Sequence, residues 1–285
     1  MRLLTFRVDG GLRIGLVRED EVVEIDGDML ALIDSGDAGL EAARKAASSK
    51  SATTHPLDAV HAVSPIPAPR GNIVAIGRNY QAHAEEGAAG KAPEPPTVFT
   101  KAMTTVAGPY DDIVIDPQVS SQVDWEVELG VVIGVAAKNV AQADALRHVF
   151  GYVALNDVSA RDIQFGWGGQ FFKGKSVDGY CPIGPWIVTR DEIEDPQRLR
   201  LQLHVNGVQK QDGNTNDMIY PVDALIEWVS KGMTLPPGTI MATGTPDGVG
   251  VFRKPPEFLK PGDVMETEVE AIGKLRNRMV AAGSD

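Results

Sequence analysis

Short apolar runs, cut apart by turns rich in glycine and proline, recur from one end of this chain to the other. Glycine (30) and proline (19) together make up roughly 17% of the 285 residues, against about 12% in an average protein. Such punctuation calls for many short strands and few helices. It excludes a coiled coil, a collagen and, with 43% hydrophobic residues, a disordered chain. No apolar run reaches the ~18 residues of a membrane helix. The start, MRLLTFRVDGG, has no apolar core followed by small residues, so no secretory leader is expected. One cysteine, Cys181, leaves no disulfide framework or multi-cysteine zinc site, and a reducing, cytoplasmic setting is expected. A net charge of −12 argues against nucleic acid as a partner but leaves room for a small anionic substrate.

The expected architecture is a β-rich α+β protein in two parts. Residues 1–68 read as a small N-terminal α/β domain, with strands at Leu3–Val8, Arg13–Val17 and Val22–Ile25 and a helix near Gly39–Ala47. The polar stretch Ser48–Pro56 reads as a linker or loose loop, and the prolines at 65, 67 and 69 as extended chain. Residues 69–285 form the larger domain. Its strands are expected at Asn72–Ile76, Thr97–Thr100, Val123–Ile133, Phe150–Leu155, Pro185–Thr189, Leu201–Val205, Thr239–Thr243 and Val264–Ala271, among others. Asn206-Gly207 is the clearest hairpin turn. Helices are expected at Ala141–His148, Ala160–Gly166 and Pro221–Lys231.

The segment DWEVELG (124–130) is chemically the most informative. On a strand, Glu126 and Glu128 share one face while Trp125, Val127 and Leu129 share the other. Two carboxylates on a strand that runs into the apolar Val131-Val132-Ile133 repel each other unless a cation lies between them, and oxygen ligands favour Mg²⁺, Mn²⁺ or Ca²⁺. The competing reading is a solvated strand face. Glu266, Glu268 and Glu270 in METEVEA alternate in the same way and are assigned to such a face, with Lys274, Arg276 and Arg278 as partners. Asp157, at the end of the strand GYVAL, is the candidate third ligand or else a helix cap. A helix beyond it would bring Arg161 and Gln164 onto the same face, with Arg161 either holding a substrate carboxylate or pairing with Asp157 or Glu126.

His83 and Glu86, three residues apart in GRNYQAHAEE, suit a general base with its orienting carboxylate, or a surface pair. Ala82, Ala84, Ala88, Ala89, Gly87 and Gly90 around them suit a mobile lid. The other four histidines show no such company. Lys175, between glycine and serine in FKGKS, is either an enolate-stabilising cation or a surface lysine. The turn TGTPDGVG lacks the Lys-Ser/Thr of a P-loop, and its N–H groups at Gly244 with the Thr245 hydroxyl suit a small carboxylate. Trp167, Phe171 and Phe172 form either an apolar pocket wall or part of the core or of a dimer interface.

Taken in order, GRNYQAHAEE, DWEVELG, NDVSARDIQ, GKSVDGYCPIGP, TGTPDGVG and VFRKPPEFLKPGD resemble the fumarylacetoacetate hydrolase family, over roughly residues 70–280. The resemblance implies a mixed β-roll, commonly a homodimer. It implies a Mg²⁺ or Mn²⁺ site at Glu126, Glu128 and Asp157, a His83–Glu86 dyad on a lid, Lys175 near the metal, and substrate contacts from Arg161, Gln164 and Thr245. It further implies chemistry on small 2-oxo acids through an enolate. The leading expectation is hydrolysis of a C–C bond in an acylpyruvate or 2,4-diketo acid. The alternatives are oxaloacetate decarboxylation or tautomerisation, isomerisation or decarboxylation of aromatic ring-cleavage products, and a metal-stabilised protein without activity.

Overall fold

The computed structural model describes residues 1–87 and 94–283. It is β-rich, with a mixed sheet and a few short helices, as the turn pattern demands. Twelve strands form the larger sheet. At its centre the strands Val127–Ile133 and Val149–Asn156 run antiparallel, and every residue of both is buried. Central strands covered on both faces carry near-continuous apolar sequence, and these two do. On one flank Val127–Ile133 is followed by Ile240–Ala242, then Ile73–Gly77, then Thr97–Lys101 at the edge. On the other, Cys181–Thr189 follows Val149–Asn156 and pairs in turn with Arg2–Val8, with Leu3 opposite Ile187.

The meander Arg2–Val8, Gly11–Arg18 and Glu21–Ile25 thus continues the sheet of the larger part without a gap, and two helices, Met29–Asp34 and Gly36–Ala47, follow it. The stretch expected to be a linker is partly structured: Thr54–Pro56 adds an edge strand, with His55 opposite Val22. The His55 ring meets Glu24 at 3.1 Å, so this histidine has a partner that the sequence did not suggest. Local composition reads as a loop because an edge strand of three residues has no apolar period to show.

A five-stranded sheet packs behind the centre, built from Val208–Asn214, Arg200–Val205, Val264–Val269, Gly273–Ala281 and Ile113–Ile115. Asn206 and Gly207, with φ of 53° and 76°, make the expected two-residue hairpin turn. Met265, Thr267 and Val269 face the core, while Glu266 and Glu268 lie opposite Arg276 and Lys274, the latter at 3.1 Å. Glu270 accepts a bond from the Arg200 N–H. The METEVEA acids therefore lie on the outer face as expected, with Lys274 paired to Glu268, while Arg278 pairs with Asp112 instead. Among the described residues no helix is long and apolar enough to cross a membrane.

The central strands approach closely at Gly151, where a Cβ would overlap the Val188 carbonyl and the Ile187 side chain. Gly151→Ala should destabilise the protein by about 1–3 kcal/mol, the usual cost of overpacking. Urea unfolding of the two proteins tests this, and equal midpoints would show that the strands can separate freely.

Candidate active site

The expected strand Val123–Ile133 is two strands, Val123–Asp124 and Val127–Ile133, with a break at Trp125-Glu126. Side chains replace the missing ladder bonds: Trp125 N–H donates to Asp124 Oδ1, Glu126 N–H to Asn156 Oδ1 and Val127 N–H to Gln211 Oε1. Asn156 also donates to Thr267 Oγ1, tying the break to the second sheet. Trp125, Val127 and Leu129 enter the main core, as alternation predicts.

The antiparallel register places Val127 opposite Asn156, and one step further the Asp157 N–H donates to the Glu126 carbonyl at 2.9 Å. Asp157 thereby joins the glutamates, and oxygens of Glu126, Glu128 and Asp157 lie within 4.8 Å of one another, all three side chains buried. Asp157 caps no helix. It precedes the short strand Ser159–Ala160, and the helix Arg161–Gly166 begins only after that.

Three buried cations hold this acidic centre together. Lys175 Nζ lies 2.8 Å from Glu126 and 2.7 Å from Asp157. Lys101, absent from the sequence-derived candidates, reaches the other Asp157 oxygen at 2.6 Å and the Val158 carbonyl at 3.1 Å. Arg161 pairs with Asp124 at 2.8 Å and Glu126 at 2.7 Å, and donates to Gln164 at 2.9 Å. Arg161 thus forms the ion pair with Glu126 that the sequence allowed, with Asp124 as a further partner and Gln164 as a hydrogen-bond acceptor, and both Arg161 and Gln164 also line the cavity described below. Asp124, unassigned in the sequence reading, also accepts the N–H groups of Gly250 and Val251.

Four buried carboxylates thus face three buried cations, and the unmatched one is Glu128. Its Oε2 accepts only the Gly244 N–H, at 2.7 Å. That N–H, expected to hold a substrate carboxylate, is already committed to the protein's own. Gly244 has φ of 102°, and a Cβ there would collide with Asn79, so glycine is required. Burial, reinforced by Asp157 and Glu126, pushes the Glu128 carboxyl well above its usual range, against Lys175 and the Gly244 N–H. Burial also opposes ionisation of Glu126, yet Lys175 and Arg161 outweigh it and hold that group down to about 2. Three convergent, buried carboxyl groups, one of them without a cation partner, fit a divalent cation with a preference for oxygen.

His83 and Glu86 occupy the helix Gln81–Glu86, with Nδ1 2.8 Å from Glu86 Oε1. Glu86 also accepts the Gly248 N–H, and His83 packs near Phe252, so the helix rests on the glycine turn and the segment after it. Ala88, Ala89 and Gly90 of the expected lid lie outside the described residues. His83, Glu126, Arg161, Gln164, Lys175 and Thr245 line one cavity of about 250 Å³. The Thr245 hydroxyl accepts from Gln211 Nε2 at 2.8 Å. Of the expected aromatic wall only Phe171 lines the cavity, joined by Phe99, Phe165 and Phe252, while Trp167 and Phe172 are exposed.

The profile of the fumarylacetoacetate (FAA) hydrolase C-terminal family matches residues 72–280. The chain belongs to that family. It is 43% identical over 253 residues to the mitochondrial oxaloacetate tautomerase FAHD2A of Homo sapiens, covering 88% of this chain and 79% of that protein. It is 39% identical to the oxaloacetate tautomerase YisK of Bacillus subtilis, covering 98% of this chain and all of YisK. Among solved structures, maleylpyruvate hydrolase from Sphingobium sp. SYK-6, in complex with manganese(II) ion and pyruvate, superposes with a TM-score of 0.82 at 33% identity, with 99% of each chain covered. This is an enzyme of the fumarylacetoacetate hydrolase family with an acidic triad suited to a divalent metal.

The raised Glu128 group makes a signed prediction for metal-free protein. Its folded form binds a proton more tightly than the unfolded chain, whose glutamates titrate near about 4.3. The stability difference between wild type and Glu128→Gln should therefore vanish below that value and grow in the variant's favour as pH rises above it. Thermal melts from pH 4 to 8 in a chelator test this, and Mn²⁺ should then stabilise the wild type alone. Equal Mn²⁺ stabilisation of both proteins would remove Glu128 from the site.

Proposed function

We propose that the enzyme interconverts the enol and keto forms of oxaloacetate, moving one proton between the C2 oxygen and C3. The carrying observation is that His83, paired with Glu86, lines the same cavity as Glu126 of the acidic triad. The two oxaloacetate tautomerases that resemble this chain at 39–43% identity supply the substrate class.

Glu86 accepts from Nδ1 of His83, which fixes the tautomer whose Nε2 carries the free lone pair. That nitrogen is the group able to take a proton from, or return it to, C3. Glu86 is itself anchored by the Gly248 N–H, so the ring cannot turn away without giving up its bond to a fixed carboxylate. A divalent ion held by Glu126, Glu128 and Asp157 would act as a Lewis acid toward the 2-oxo oxygen and favour the enolate. Lys175 and Lys101 hold the Asp157 carboxylate in place from both oxygens, and Arg161 with Lys175 does the same for Glu126. The aromatic side chains around the cavity limit water near C3, which favours return of the proton over side reactions.

Hydrolysis of an acylpyruvate-type C–C bond is the second reading. It is favoured by the likeness to maleylpyruvate hydrolase and by the same dyad, which could deprotonate a water. Two assays separate them: decay of the oxaloacetate enol absorbance, and pyruvate release from acetylpyruvate. Wild type should accelerate the first, and His83→Ala should slow it by about 10²–10⁴-fold, the usual contribution of a positioned base. Rapid cleavage of acetylpyruvate with no effect on the enol would establish the hydrolase instead.

A further inference from the structure

We infer that Arg78 is the residue that selects substrates ending in a second carboxylate. The inference rests on the proposed 2-oxo-acid reading and specifies which 2-oxo acids the site accepts. Four cationic or protonatable side chains line the cavity among the described residues: Arg78, His83, Arg161 and Lys175. Three of them already have carboxylate partners. His83 is held by Glu86, Lys175 by Glu126 and Asp157, and Arg161 by Asp124 and Glu126. No carboxylate pairs with Arg78 among the described residues. Its Nε is buried without an acceptor, and its Nη2 makes only a 3.4 Å contact with Thr97 Oγ1. A half-buried guanidinium without an anion is an incomplete arrangement, and a planar carboxylate is the ligand that matches its fork of donors.

The backbone holds Arg78 there deliberately. Its φ of 55° lies in the left-handed region, unusual for a side chain of this size. The next residue fixes that conformation. Asn79 donates to the carbonyls of Tyr220 and Thr243 and accepts the Tyr220 N–H, while its own carbonyl accepts the Ile219 N–H. Backbone in a sparsely populated region, pinned by its neighbours beside a cavity, is where function tends to be found.

Position in the sheet agrees. Arg78 follows the strand Ile73–Gly77, which is two strands across from the strand bearing Glu128, with Ile240–Ala242 between them. At about 4.8 Å per strand the two positions are separated by roughly 10 Å. A short dicarboxylate gripped at its 2-oxo end by the acidic centre and met at its other end by the long arginine side chain spans such a gap. Between these ends the cavity wall is apolar, with Ile76, Phe99, Phe171 and Phe252. Arg78 is thus the lining cation left to meet the second carboxylate.

Calorimetric titration of Mn²⁺-loaded protein with three probes tests this: oxalate, 3,3-difluoro-oxaloacetate, which cannot enolise, and its 4-methyl ester. Wild type should bind the diacid more tightly than the ester, and Arg78→Gln should weaken the diacid by about 10- to 100-fold, as for loss of a charge-assisted pair. Oxalate and ester should stay within about twofold, and Arg78→Lys should restore part of the loss. Equal affinity of wild type for diacid and ester, or Arg78→Gln weakening all three probes alike or none, would overturn the proposal. A wild type that discriminates diacid from ester yet leaves the oxaloacetate enol untouched would refute the tautomerase reading and leave Arg78 in its role.

Discussion

A single antiparallel register underlies the site. Val127–Ile133 and Val149–Asn156 come from segments separated by a helix and a turn, and their alignment alone decides that Asp157 meets Glu126. A slip of one residue would turn Asp157 to the opposite face and bury its charge among apolar side chains. The register is held by burial of both strands on both faces and by Asn156, which bonds to Glu126 N–H on one side and Thr267 on the other. The strand break at Trp125-Glu126 is part of the same device. It releases Glu126 from the ladder so that its side chain can face Lys175 and Arg161, while Glu128 remains on the strand and faces Gly244.

The charge distribution follows from that geometry. Four carboxylates enclosed in a protein interior would be intolerable alone, and removing one partner from such a cluster typically costs about 3–5 kcal/mol. Lys101, Lys175 and Arg161 compensate three of them, and Glu128 is left without a cation of the protein's own, a place that a divalent ion would fill. The buried cations are therefore scaffold as much as chemistry. On the proposed function, proton transfer then falls to His83 and recognition of the rest of the substrate to Arg78, the lining cation without a carboxylate partner among the described residues.

Much of this was legible in advance because it is local. The E-x-E pair, the strand-end Asp157 and the His83–Glu86 spacing each depend on a period of two or three residues, and the ordered motifs carried the family. The METEVEA acids could be set aside for the same reason, since basic residues followed at the spacing of a paired strand. Lys101 and Asp124 were hidden: a lysine ending the run TVFT and an aspartate opening DWEVELG carry no local signal of burial. Arg78 within GRNY carries no local signal either, because the lack of a carboxylate partner among the described residues is a property of its surroundings.

From its residue order alone this protein was committed to short strands, to the fumarylacetoacetate hydrolase family, and to a trio of acids with a histidine–glutamate pair nearby. Those features reside in alternation, turn chemistry and motif order, which the chain carries before it folds. Only the tertiary structure decided which cations neutralise which acids, because pairing is settled by the distances between strands far apart in sequence. Arg161 is claimed by Asp124 and Glu126, the Gly244 N–H by Glu128, and Arg78 by no carboxylate among the described residues. A side chain's chemistry is written in its identity, but whether it is free to meet a ligand depends on what else lies within a few ångströms.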